Sequence, residues 1–150
     1  MGVRGRARSG LIRLHKMRYS RTRTIIEIMK QLTDQPHLLV GDLNALHPTD
    51  KPNLSLYLAT EPWEGEERMS EDLSPRQVIP LLLEAGYVDC FRLLPSTTPG
   101  YTYKLPTPGL RLDYIFASRP LARRLYECDI VTGAEAKVAS DHFPIWAEFR

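Results

Sequence analysis

A chain of 150 residues is long enough for one domain with its own core, and short for an enzyme built of two packed sheets. With 43% hydrophobic and 25% charged residues, and no apolar run near the roughly 20 residues that span a bilayer, it reads as an ordinary globular domain and not as a transmembrane protein. The formal charge of +2 hides an asymmetry, because residues 1–30 carry nine Lys and Arg against Glu27 alone, which leaves the remainder acidic on balance.

Taken in chain order, residues 1–10 form a basic stretch that reads as a disordered tail, with an arm touching nucleic-acid phosphates as the alternative. It lacks the apolar segment and cleavage pattern of a secretory signal, so a cytoplasmic location is the default expectation. "LIRLH", Leu11 to His15, resembles a short strand. Ser20 can cap a helix in which Ile25, Ile28, Met29 and Leu32 recur at helical spacing. Asp34, Gln35 and Pro36 break it, and the apolar run "HLLVG" predicts a strand covered on both faces. Strand, helix, strand implies an α/β layered domain.

Residues 45–75 read as a long, solvated connection holding Pro48, Pro52, Pro62 and Pro75 and the acids Glu61, Glu64, Glu66, Glu67, Glu71 and Asp72. A second helix is expected with its main body from Pro80 to Gly86, since proline suits a first turn and glycine a helix end. "RLDYIFA", "ECDIV" and "PIWAEF" are rich in β-branched and aromatic residues and read as three strands. Cys90 and Cys128 have no Cys or His at zinc-ligand spacing, so buried reduced thiols are expected.

Three clusters carry chemistry. Asp42 and Asn44, two positions apart at a strand end, project to one face. A carboxylate there can orient or deprotonate water, and the amide can donate to an anionic oxygen without adding charge; plain turn chemistry explains the pair equally well. Alternation along "GLRLDYIFAS" puts Leu112, Tyr114 and Phe116 on one side and Arg111, Asp113 and Ile115 on the other. A carboxylate within a strand needs a partner, either Arg111 or a histidine from elsewhere. Such a histidine stands in "SDHFPI", where Asp141 and His142 adjoin. His37 and His47 read as surface residues. Tyr101, Tyr103 and Trp63 could stack on bases or simply fill contacts.

In order, "VGDLNA", "RLDYIFAS" and "SDHFPI" resemble the motifs of the endonuclease/exonuclease/phosphatase family, which includes deoxyribonuclease I and exonuclease III. "LIRLHKMRYSRTRTIIEIM" resembles the family's strand ending in a histidine, here His15, and the helix with an early arginine, here Arg23. Leu14 departs from the small polar residue usual before that histidine. "AGYVDCFRLLPSTTPGYTY" resembles the stretch leading to the family's aromatic-rich strand. The "RLDYIF" pattern favours the nuclease branches over the inositol-polyphosphate phosphatases, with small phosphoesters or sphingomyelinase-like lipid substrates as further options.

The resemblance implies an α/β (α+β) fold over residues 11–150, part of a deoxyribonuclease I-like layered β-sandwich flanked by helices. It implies phosphoester hydrolysis by in-line water with a divalent ion, Mg2+ or Mn2+, and a phosphoester substrate such as nucleic acid. Carried over, Asp42, Asn44, Asp113, His142 and His15 are catalytic, Asp141 and Asp42 serve the metal, and Asn44, Arg23 and Tyr101 hold substrate. Family members are generally about twice as long, and their first half supplies an Asn and a metal-binding Glu. Residues 1–10 contain no acid or amide. The chain therefore reads as the C-terminal half of such an enzyme, either impaired as it stands or completed by a partner chain. The alternative is a catalytically inactive half-domain.

Overall fold

The structure is a computed structural model that describes residues 17–32, 34–56, 77–94, 98–103, 105 and 107–150. The strand read at Leu11–His15, the basic tail, Trp63 and most of the acidic connection lie outside the described residues.

Helix α1 runs through residues 17–29 and passes into a 3-10 turn, Lys30–Leu32. Its buried face is Thr22 and Ile26, with Met29 packed behind them, while Ile25 and Ile28 are 44% and 60% exposed. The apolar residues therefore do not define the buried stripe as expected. It is rotated by one residue, and Thr22 can be buried because its hydroxyl donates to the Arg18 carbonyl one turn back, at 2.9 Å. Ser20 lies within the helix and does not cap it.

The apolar run after Pro36 becomes β1, Leu38–Asp42. Among the described residues it stands at the edge of a three-stranded antiparallel sheet in the order β1-β3-β2, with β2 at Val88–Asp89 and β3 at Asp113–Ala117. Only one of its faces is covered, contrary to the two-sided burial its sequence implies. Leu39 packs towards Ile26, Ile79 and Leu82, whereas Leu38 and Val40 are 40% and 60% exposed.

Helix α2 spans Val78–Glu84, beginning two residues before the expected Pro80. Proline sits in its first turn, where the missing N–H has no intrahelical acceptor to lose. A short helix α3, Cys90–Leu93, follows β2 directly, its first turn capped by Asp89 accepting from the Phe91 N–H at 3.1 Å. Then come α4 at Arg119–Ala122, β4 at Leu125–Ile130, α5 at Ala136–Ala139 and β5 at Ile145–Phe149. Strands β4 and β5 pair antiparallel as a second sheet.

Strand β3 is the middle layer. Tyr114 and Phe116, both 0% exposed, face α1 and α2, and Ile115 and Ala117 face β4 and β5 together with Cys90 and Ala122. Each such large side chain contributes about 1.5–3 kcal/mol on burial, so β3 carries much of both cores. Both cysteines are free thiols, Cys90 buried as expected and Cys128 only half-buried, and burial pushes each thiol up to about 12.

Just before β3 the chain buries a charge. The Arg111 side chain donates to Asp50 at 2.7 Å and to Asp89 at 2.8 Å, and Arg92 adds a second bond to Asp50 at 2.8 Å. Burial works against the Arg111 charge, and the two carboxylates outweigh it, so its pKa is raised. The guanidinium also lies 4.4 Å from the Tyr114 ring centroid. Gly100, at φ +74, closes this cluster, since a side chain there would run into the Phe91 ring. Removing one partner strands a buried charge, so Asp50→Ala is expected to cost about 3–5 kcal/mol in urea unfolding. A loss under about 1 kcal/mol would mean that the network is not what anchors the entry to β3.

Candidate functional site

The site is built at one end of the three-stranded sheet. Strands β1 and β3 run antiparallel with Asp42 opposite Asp113, so the two carboxylates stand side by side on one face. Gly41, at φ +139, supplies the turn of backbone that presents Asp42. The ladder continues one residue further, with the Leu43 N–H donating to the Leu112 carbonyl at 2.9 Å.

Asp42 is clasped by Asn44. The Asn44 backbone N–H donates to one carboxylate oxygen and its side-chain amide to the other, each at 2.7 Å. This closure holds Asn44 at φ +47, a left-handed conformation that asparagine adopts more readily than most residues. Asp42 keeps contact with solvent, yet the surrounding protein strips enough water from it to raise its pKa above 3.8. The Asp113 charge adds to that rise, while the Asn44 N–H, His142 and Arg18 oppose it.

Asp113 has its own partner. His142 Nδ1 lies 2.7 Å from the Asp113 carboxylate, and both side chains are largely covered. A carboxylate accepts only, so Nδ1 carries the proton and Nε2 is the ring atom left to act. Of the two partners the sequence leaves open for Asp113, the structure selects the histidine, because Arg111 is committed to Asp50 and Asp89. The Tyr103 ring packs against the imidazole with centroids 4.7 Å apart. Arg18 of α1 reaches the same end of the sheet, its side chain 3.4 Å from the Asn44 carbonyl.

Asp42, Asn44, Asp113 and His142 are thus brought to one strand end. Asp141 is exposed beside His142, accepting from Ser140 at 3.4 Å. Arg23 is exposed on α1, and at 3.6 residues per turn it lies about 140° round the helix from Arg18, which is the arginine that reaches the site. Tyr101 donates its hydroxyl to the Lys51 carbonyl at 2.6 Å, which ties it to the connection after β1. His15 lies outside the described residues. His47 is half-buried at the surface: its Nδ1 accepts from the Thr49 N–H at 3.2 Å, and burial lowers its pKa. His37 is likewise half-buried, with Nε2 3.0 Å from the Tyr87 hydroxyl.

The sequence reading missed Arg18 and the buried Thr102. Nothing in the order of residues separates Arg18 from its neighbours Arg21 and Arg23. Thr102 sits inside a stretch read only as aromatic-rich. Among the described residues no three of His, Cys, Asp and Glu gather as a cation cage.

Comparison with known proteins bears on the family and the fold. The chain is 27% identical to exodeoxyribonuclease III of Haemophilus influenzae over 166 aligned residues, covering 99% of this chain and 61% of that protein. It superposes on an AP endonuclease from Archaeoglobus fulgidus with a TM-score of 0.64 at 22% identity, covering 90% of this chain and 54% of that one. For the AP endonuclease LMAP of Leishmania major the TM-score is 0.68 at 22% identity, with 94% and 46% covered. For the Neisseria 3′ phosphatase NExo bound to product DNA hairpin it is 0.63 at 23% identity, with 89% and 51% covered. The chain thus spans about three-fifths of the length of the curated relative and about half of the solved structures. The sequence model of the endonuclease/exonuclease/phosphatase family matches residues 11–142, and the chain belongs to that family, with its α/β layered fold.

Proposed function

We propose that this chain carries the phosphoester-cleaving end of a nuclease-like hydrolase, and that DNA is its substrate class. The observation that carries this reading is the convergence of the Asn44-clasped Asp42 and the Asp113-held His142 on one face of adjoining segments. The names of the relatives, an exodeoxyribonuclease, AP endonucleases and a 3′ phosphatase, support phosphate esters of DNA over lipid substrates.

In this reading Asp42 orients a water and takes its proton. Its raised pKa makes it a stronger base than an ordinary aspartate. Asn44 fixes the carboxylate plane and has one amide hydrogen left for a phosphate oxygen. His142, its Nδ1 proton held by Asp113, presents Nε2 to the phosphate and donates there when protonated. A divalent ion, Mg2+ or Mn2+, would neutralise phosphate charge. With two carboxylates at most from the described residues, it would be held jointly with substrate phosphate.

A second reading is a half-domain that is inactive alone and works only with a partner chain. It is favoured by the uncovered Leu38 and Val40 of β1 and by the fraction of its relatives that the chain spans.

The test is the purified chain with duplexes bearing an abasic site or a 3′ phosphate, sphingomyelin vesicles and bis(p-nitrophenyl) phosphate. Each is assayed with Mg2+, with Mn2+ and with chelator. We expect cleavage of the DNA substrates that chelator abolishes, and a fall of about 10²–10⁴-fold in His142→Ala and in Asp42→Asn, with His47→Ala near wild type. No hydrolysis under any condition would leave the second reading. An equal loss in His47→Ala would show that the wrong histidine was chosen.

The electrostatics can be read directly by ¹³C carboxyl titration of the metal-free chain. Asp42 should titrate above 3.8. Asn44→Ala, which removes a donor to the ionised form, should move it further up. Asp113→Asn, which removes a like charge, should move it down. Either shift with the opposite sign contradicts the base assignment.

A further inference from the structure

His142 and Asp113 enter different sheets, β5 and β3, so the 2.7 Å contact between them needs something to fix the separation of the two segments. Thr102 lies between them and is 0% exposed. On one side its Oγ1 accepts from the backbone N–H groups of Leu112 and of Asp113 itself, at 3.1 and 3.3 Å. On the other its carbonyl accepts from the N–H of Phe143, the residue after His142, at 2.8 Å. Its own N–H donates to the Leu110 carbonyl at 2.8 Å. The next residue, Tyr103, forms bridges to both Leu110 and His142 and lays its ring on the imidazole.

We propose that Thr102 is the positioning residue of the Asp113–His142 pair. It touches neither substrate nor reacting atoms. Through one hydroxyl and one carbonyl it sets how far the two segments stand apart, which keeps the Nδ1–H of His142 donating to Asp113 and Nε2 free to face a phosphate. The hydroxyl is essential to this role. At the entry to β3 the N–H groups of Leu112 and Asp113 have Thr102 Oγ1 as their acceptor, and an isosteric valine fills the space without accepting. Serine keeps the acceptor.

The kinetic consequence rests on the hydrolase reading proposed above, and the spectroscopic one does not. In ¹H–¹⁵N correlation spectra of the histidine rings of the full chain, wild-type His142 should show the Nδ1-protonated tautomer. His37 and His47 serve as internal references. His37 Nδ1 is 2.7 Å from the Gln35 carbonyl, and His47 Nδ1 accepts from an N–H, so these two report opposite tautomers. Thr102→Val should scramble the His142 tautomer and leave both references unchanged, and Thr102→Ser should retain it.

With an active chain, Thr102→Val is expected to lower kcat about 10- to 100-fold with KM within about 2-fold, and Thr102→Ser to stay within about 3-fold of wild type. Retention of the tautomer in Thr102→Val overturns the proposal. If that variant does not fold, Thr102→Ser decides, since loss of the tautomer while the hydroxyl is kept overturns it equally, and retention supports it. A wild-type chain that hydrolyses nothing defeats the hydrolase reading and leaves the ring spectra to judge Thr102.

Discussion

Register between β1 and β3 sets Asp42 against Asp113, and the site is organised around that pair. Residues directly opposed in antiparallel strands lie about 5 Å apart at Cβ. At such a distance and an effective dielectric of about 20, two carboxylates repel by about 3 kcal/mol, less where solvent screens them. The compensation is unequal. Asp113 receives a ring N–H that can carry a full positive charge, whereas Asp42 receives two neutral amide N–H groups. Unequal compensation separates two identical side chains: Asp113 holds a histidine, while Asp42, stripped of water by its surroundings and next to the Asp113 charge, has its pKa raised.

That arrangement holds only if the segment after β1 is fixed, because Asn44 must keep a left-handed backbone to reach both oxygens of Asp42. Three ties fix it. The buried Tyr114 hydroxyl donates to the Ala45 carbonyl at 2.7 Å, Asp50 takes the Arg111 and Arg92 guanidinium groups, and the Tyr101 hydroxyl donates to the Lys51 carbonyl. The charge buried at Arg111 thus serves the site two residues downstream, because it joins the connection after Asn44 to the entry of the strand that bears Asp113. A buried ion pair is weak support for stability on its own. Here it is better read as fixing one geometry for two segments.

Most of this geometry was legible where the chemistry is local. An Asp and an Asn two apart at the end of an apolar run, an aspartate inside a strand, and an Asp-His pair before another strand are each visible as letters, and strand periodicity gives their faces. What was not legible depends on tertiary packing. The face α1 buries turned on Thr22, a residue that periodicity of apolar side chains ignores and that enters the core because it bonds its own helix. The exposure of β1 turned on its place at a sheet edge, which a run of apolar residues does not encode. The partner of Asp113 turned on Asp50 and Asp89 having first claim on Arg111. Short elements such as β2 and α3 were missed for the same reason, since two- and four-residue pieces have no periodicity to detect.

Charge balance gives the final constraint on what the site can accept. A phosphoester brings negative charge to a strand end that already holds Asp42 and Asp113, with Asp141 exposed beside His142. Among the described residues, His142 and Arg18 oppose that charge at the site, and the Arg18 contact is made to a carbonyl at 3.4 Å. The exposed Arg21 and Arg23 on α1 add positive charge that biases encounter with an anion. Counting the described residues alone, a phosphate in place leaves the strand end short of positive charge. In the proposed reading a divalent ion would supply positive charge at the strand end, held jointly with substrate phosphate.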